Sequence, residues 1–156
     1  TAIAVGRALE GCGVGWFEDP VPESDLAGLA RVRAALDLPI ASGEDATWPD
    51  ACEAMLEAGA VDVLMVDPKW VGGLTPWRRV AEAAARHGVR MVSHISPELS
   101  APILAAHAPD ALLEWFSWSF GLYAEAPRLE AGAYTLSESP GFGLRYRPDV
   151  LDRLFG

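Results

Sequence analysis

The sequence predicts an α/β fold built on a parallel sheet. Three observations carry this. Short apolar runs alternate strictly with alanine-rich amphipathic stretches. The apolar runs carry no polar face, as befits strands covered on both sides. Glycine and proline punctuate almost every junction between them. Strict alternation fits either an open doubly wound sheet or a barrel.

The elements follow in order. Residues 1–10 read as a helix closed by Gly11 and Gly13. A strand is expected over 14–17. Leu26, Leu29, Val32, Ala35 and Leu36 have helical spacing, predicting a helix over 24–36 with Ser24 as N-cap. The next strand is 38–41. Thr47 is expected to cap a helix with Pro49 near its start, ending at Glu57 before Gly59. Strand 61–66 follows, then a helix opened by Thr75 and Pro76 that runs to His87 and stops at Gly88. Strand 89–92 leads to a helix opened by Ser96, Pro97 and Glu98 and ending near His107. Residues 111–113 are expected as the fifth strand. Beyond Ser117 the repeat stops. Residues 124–147 show Gly/Pro punctuation with short alternating runs, and 148–155 read as a terminal helix.

The 156 residues suffice for a domain with its own core, and the 51% apolar content argues against disorder. No apolar run approaches the roughly 20 residues that span a bilayer. The formal charge of −10 disfavours nucleic acid and anionic lipid as partners. Cys12 and Cys52 form no metal-type pair and are expected to be buried thiols in a reducing, cytoplasmic compartment. Lys69 is the only lysine among twelve basic residues.

An ionisable residue ends each predicted strand: Glu18, Glu44, Asp67, His94 and Glu114, at spacings of 26, 23, 27 and 20. Each spacing is about one strand–helix unit. In a parallel barrel all five share the face at the strands' C-terminal ends, where such barrels do their chemistry. A carboxylate after a strand is commonly only a cap or a solvated group. Five in register would repel and desolvate one another unless a cation or proton compensates. Oxygen donors favour a hard cation, Mg²⁺ first.

Several segments carry a resemblance. Trp16-Phe17-Glu18-Asp19-Pro20, Ser42-Gly43-Glu44, Val66-Asp67 followed by Gly72-Gly73, the segment from Ser93-His94 to Leu99-Ser100, Leu113-Glu114-Trp115 and Pro140-Gly141-Phe142-Gly143 occur in the order and spacing of one family. Together they resemble the mandelate racemase-like branch of the enolase superfamily. The resemblance implies the C-terminal part of a TIM-type (α/β) barrel over 1–120, with a tail over 121–156 that joins a capping domain. It implies Glu18 and Glu44 as Mg²⁺ ligands and His94 as general base. Asp67 would orient His94, and Glu114 would hydrogen-bond a developing enediolate. A third, aspartate ligand and the capping domain would lie upstream of Thr1. The chain is therefore expected to be part of a longer enzyme. A half-barrel that assembles with a partner and a non-catalytic relative are the alternatives.

The activity implied is Mg²⁺-dependent removal of the proton α to a carboxylate, leading to dehydration of a sugar acid. Racemisation or epimerisation of a 2-hydroxy acid and a non-catalytic fragment stand beside it. A small hydroxy-carboxylate is the expected substrate, with neither nucleic acid nor membrane as partner, and the complete protein is expected to be a homo-oligomer.

The remaining candidates read more plainly. Asp19 and Asp45 are outer groups of the site or solvated acids. Lys69 is a loop residue. Gly72-Gly73 make a tight turn. His87 and His107 sit near helix ends. Trp115, Trp118 and Phe120 wall the pocket or belong to the aromatic core.

Overall fold

A computed structural model describes residues 1–108, 111–125 and 127–156. Helix α1 (Ala2–Leu9) passes through a short 3-10 turn into strand β1 (Phe17–Glu18). Helix α2 (Leu26–Ala35), strand β2 (Ile40–Ser42), helix α3 (Pro49–Glu57), strand β3 (Val63–Val66), helix α4 (Leu74–His87), strand β4 (Arg90–Ser93) and helix α5 (Pro97–His107) continue the alternation. The four strands form one parallel sheet in the order β1-β2-β3-β4, with each strand beside its predecessor. The tail holds the antiparallel pair β5 (Leu129–Glu130) and β6 (Ala133–Tyr134), then helix α6 (Pro148–Phe155).

Strand alternation places the core. Ile40, Leu64, Val66 and Met91 point to the helices and join Leu29, Cys52, Met55, Trp77 and Val80 in the main cluster. Ala41, Val63, Met65 and Val92 point to the opposite face and form a second, smaller cluster beside Trp16. Both faces of β2 and β3 are buried, which is why every residue in them but Ser42 is apolar.

Helix ends depart from expectation where two caps compete. Asp25, not Ser24, caps α2, its side chain accepting from Gly28 N at 2.8 Å. Trp48 rather than Thr47 occupies the N-cap of α3, so no side chain caps that helix. Gly73, with φ 103°, precedes α4, which starts at Leu74, one residue before Thr75. Gly88 ends α4 in the left-handed conformation, as expected.

Two strands differ more. Strand β1 is two residues long and pairs only from Phe17, because the chain is still turning through Gly13 in a left-handed conformation. The expected fifth strand at 111–113 does not form a ladder. Ser93 N donates to Leu112 O at 3.3 Å, but the next link is made by a side chain, with Glu114 N donating to Ser93 Oγ at 2.8 Å. The segment lies alongside β4, with the serine hydroxyl taking the place of a ladder bond. Within the expected run of short strands over 124–147, position 126 lies outside the described residues.

Cys52 is buried as expected, whereas Cys12 is exposed. Cys12 lies on the 3-10 turn after α1, a helix whose only buried residue is Gly6, so nothing packs over the thiol. No helix among the described residues is long and apolar enough to cross a membrane.

Candidate active site

Parallel pairing aligns the strand ends, and each end delivers an ionisable side chain to the same rim. Glu18 is the last residue of β1; Asp67 and His94 immediately follow β3 and β4; Glu44 sits two residues beyond β2. Glu114 reaches the rim from the segment beside β4.

The His94 ring is the meeting point. Its Nδ1 lies 3.5 Å from Asp67 Oδ2, and its Nε2 lies 3.6 Å from Glu44 Oε2. Asp67 is 1% exposed, and its Oδ2 and His94 Nδ1 are buried without a hydrogen-bond partner. An Nδ1–H···Oδ2 bond formed by a small closure of this 3.5 Å gap would satisfy both atoms and leave the lone pair on Nε2, with Lys69 Nζ equally near Oδ2. The other Asp67 oxygen accepts from Lys69 N at 2.7 Å, which fixes the carboxylate plane. Ile95, with φ 33°, and Ser96, with φ 48°, turn sharply after His94. That turn aims the Ile95 N–H at Glu114 Oε2, 2.6 Å away.

The carboxylates of β1 and β2 crowd one another. Burial raises the Glu44 carboxyl above its ordinary value, and the charges of Asp19, Glu18 and Asp45 push it the same way, against the pull of His94. Burial likewise raises Asp19, against a hydrogen bond from Ser42 Oγ at 2.5 Å. Glu18 Oε2 accepts from Trp16 Nε1 at 3.0 Å. A hard cation would relieve this repulsion, so the donor chemistry fits Mg²⁺. Among the described residues, no group of three or more His, Cys, Asp or Glu is arranged to hold a metal ion. Glu18 and Glu44 would need further oxygens to complete a shell.

The structure thus sets Glu44 and Asp67 against the His94 ring and ties Glu114 to the residues on either side of His94. Glu18 is coupled to them through charge. Asp19, although exposed, is a bonded partner of the β2 end and not merely a solvated acid. Lys69 is on a loop as expected, yet its Nζ lies 3.5 Å from Asp67 Oδ2. Glu23 was not anticipated; its Oε1 accepts from both Gly43 N and Asp45 N. Its only sequence signal was an acid a few residues after β1. His87 and His107 lie exposed in the last turns of α4 and α5. Trp115 stacks edge-on against Phe120, at 5.2 Å between ring centroids, whereas Trp118 is 74% exposed and belongs to no core.

Residues 1–150 match the family model described as enolase C-terminal domain-like. The L-talarate/galactarate dehydratase of Salmonella typhimurium is 34% identical over 143 residues, covering 92% of this chain and 36% of the relative. The D-galactarolactone cycloisomerase of Agrobacterium fabrum is 34% identical, covering 96% and 44%. The crystal structure of the Salmonella dehydratase superposes with a TM-score of 0.91 at 32% identity, over 95% of this chain and 38% of that one. The L-talarate dehydratase of a Polaromonas species, complexed with Mg and L-glucarate, gives 0.92 at 30% identity, over 97% and 42%. The chain thus spans less than half the length of these relatives. The parallel sheet and its helices correspond to part of the TIM-type barrel of such domains.

Proposed function

Because the chain belongs to the enolase C-terminal domain-like family, we propose that its strand ends form part of an acid-sugar dehydratase site. The observation that carries this reading is His94 held between Asp67 on Nδ1 and Glu44 on Nε2. Residues 1–120 are read as the partial barrel and 121–156 as a tail packed on it, with Tyr123 of the tail buried beside Glu98 of α5.

His94 Nε2 takes the proton α to the substrate carboxylate, and the C–H electron pair moves onto the carboxylate oxygens. The buried Asp67 carboxylate stabilises the imidazolium and keeps its ring in place. Glu114, with Oε2 engaged by Ile95 N–H, would donate a hydrogen bond to the developing enediolate from its other oxygen, a role that requires a proton there. When the β-hydroxyl leaves, the imidazolium returns its proton and water departs. One residue therefore serves both half-steps, which favours dehydration over racemisation, where a second base must stand on the opposite face.

Glu18 and Glu44 would hold Mg²⁺, which supplies fixed positive charge beside the substrate carboxylate. The relatives named above include a dehydratase complexed with Mg and L-glucarate, which supports both the cation and a small hydroxy-carboxylate substrate. The two free cysteines support a cytoplasmic setting, and a homo-oligomer of the full-length protein remains part of this reading.

Calorimetric titration of Mg²⁺ into the full-length protein tests the centre of the proposal. Binding in the wild type that is lost in Glu18→Gln and in Glu44→Gln supports it. A folded protein that takes up no Mg²⁺ overturns it in favour of a non-catalytic barrel.

A further inference from the structure

Glu23 lies on the loop between β1 and α2, five residues after Glu18, and is half-buried against the β2 loop. A single oxygen, Oε1, accepts from Gly43 N at 2.8 Å and from Asp45 N at 3.0 Å. These two N–H groups flank Glu44. The backbone on either side of that candidate ligand is therefore pinned by one carboxylate. Burial raises the Glu23 carboxyl, and the two N–H bonds oppose the shift, so the anionic acceptor form is held by these contacts.

A second tie runs the same way. Asp19 N donates to Ala41 O at 3.0 Å, and Ser42 Oγ donates to Asp19 Oδ1. The loop after β1, which begins at Asp19 beside Glu18, is thus laced to the loop after β2, which carries Glu44, at both its start and its middle. Below, Gly43 rests on β3 so closely that a Cβ would stand 2.8 Å from Met65 O. The Glu44 backbone is trapped between β3 and the Glu23 carboxylate.

We infer that Glu23 is a positioning residue that sets the spacing of Glu18 and Glu44 by clamping the two N–H groups beside Glu44. The inference rests on the proposed Mg²⁺ reading and adds a residue to it. Such outer partners orient ligands without touching the ion, and their loss costs about 10–100-fold in metal affinity.

Mg²⁺ titration of the full-length protein, paired with thermal melts in EDTA, tests the clamp. Glu23→Ala removes the acceptor and is expected to weaken Mg²⁺ binding about 10–100-fold. Glu23→Asp is one methylene too short to reach both N–H groups and is expected to weaken it too, providing a milder variant should the alanine form fail to fold. Glu23→Gln keeps an Oε1 acceptor and is expected to bind close to wild type. Wild-type affinity in Glu23→Asp or Glu23→Ala, with or without a lower melting temperature, overturns the inference. Equal weakening in Glu23→Gln also overturns it, since charge rather than acceptor geometry would then be responsible. A wild type that binds no Mg²⁺ fails at the earlier reading and takes this inference down with it.

Discussion

His94 Nδ1 faces Asp67 Oδ2 across 3.5 Å, with Lys69 Nζ equally near Oδ2, and neither buried atom has a hydrogen-bond partner at these distances. Apo geometry of this kind commonly tightens when substrate arrives. Replacing Asp67 with Asn keeps the shape but turns an acceptor into a group that can present N–H to Nδ1. The lone pair would then sit on the wrong nitrogen. α-Proton exchange in D₂O, followed by NMR on an acid sugar, is expected to fall about 10²–10⁴-fold in Asp67→Asn. His94→Asn is expected to abolish exchange while leaving the fold intact. Exchange at the wild-type rate in His94→Asn would remove His94 as the base.

The Gly43 turn carries the second prediction. Its φ is 121°, a region that side chains rarely adopt, and an added Cβ would meet Met65 O at 2.8 Å and Leu64 Cδ1 at 2.9 Å. Backbone oxygen in β3 cannot retreat without breaking the ladder. Gly43→Ala is expected to destabilise the protein by about 1–3 kcal/mol in urea denaturation. Unaltered stability would mean that the loop can lift off β3, and the clamp on Glu44 would be looser than the geometry indicates.

The strand-end residues were legible because their signal is local: an apolar run covered on both faces, then one ionisable group, repeated at the length of a strand–helix unit. Glu18, Glu44, Asp67 and His94 all emerge this way. Glu23 and the bond that Ser42 makes to Asp19 were not legible. The bonded partners lie twenty or more residues apart, and only the folded loops bring them within bonding distance. The fifth strand misled for a related reason. Its composition suits a strand, but the Ser93 hydroxyl replaces a ladder bond, and no propensity registers such an exchange. Cap assignment failed at Ser24 and Thr47 because each neighbours a residue that takes the cap instead, and a shift of one position is invisible to pattern.

Cys52 offers a contrast in thiol chemistry. It is fully buried on the inner face of α3, and burial pushes its thiol up to about 12. Thiolate is the reactive form, so at pH 8 only roughly one molecule in 10⁴ carries it there. A disulfide-exchange reagent at pH 8 is expected to leave Cys52 unmodified in the native protein and to reach it once urea unfolds the chain. Mass spectrometry of the labelled peptides reads the outcome. Prompt native labelling of Cys52 would mean that α3 opens readily and that the core around Met55 and Leu56 is less closed than described.

Tyr123 gives the pH dependence a defined sign. It is 7% exposed, and burial raises its phenol above the ordinary value of 10.0; Glu98 and Tyr146 push in the same direction. The unfolded chain therefore loses this proton at a lower pH than the folded one. Above pH 10 the folded state binds more protons than the unfolded state, so stability falls as pH rises. The contribution of the protonated Tyr123 is whole below pH 10 and is lost as the pH climbs through the raised folded value. Tyr123→Phe removes the titrating group, and its denaturation midpoint is expected to decline less steeply between pH 9 and 11 than that of the wild type. Identical slopes would show that the tail loosens before Tyr123 ionises, and that the Glu98 cluster does not hold residues 119–123 against α5 in alkali.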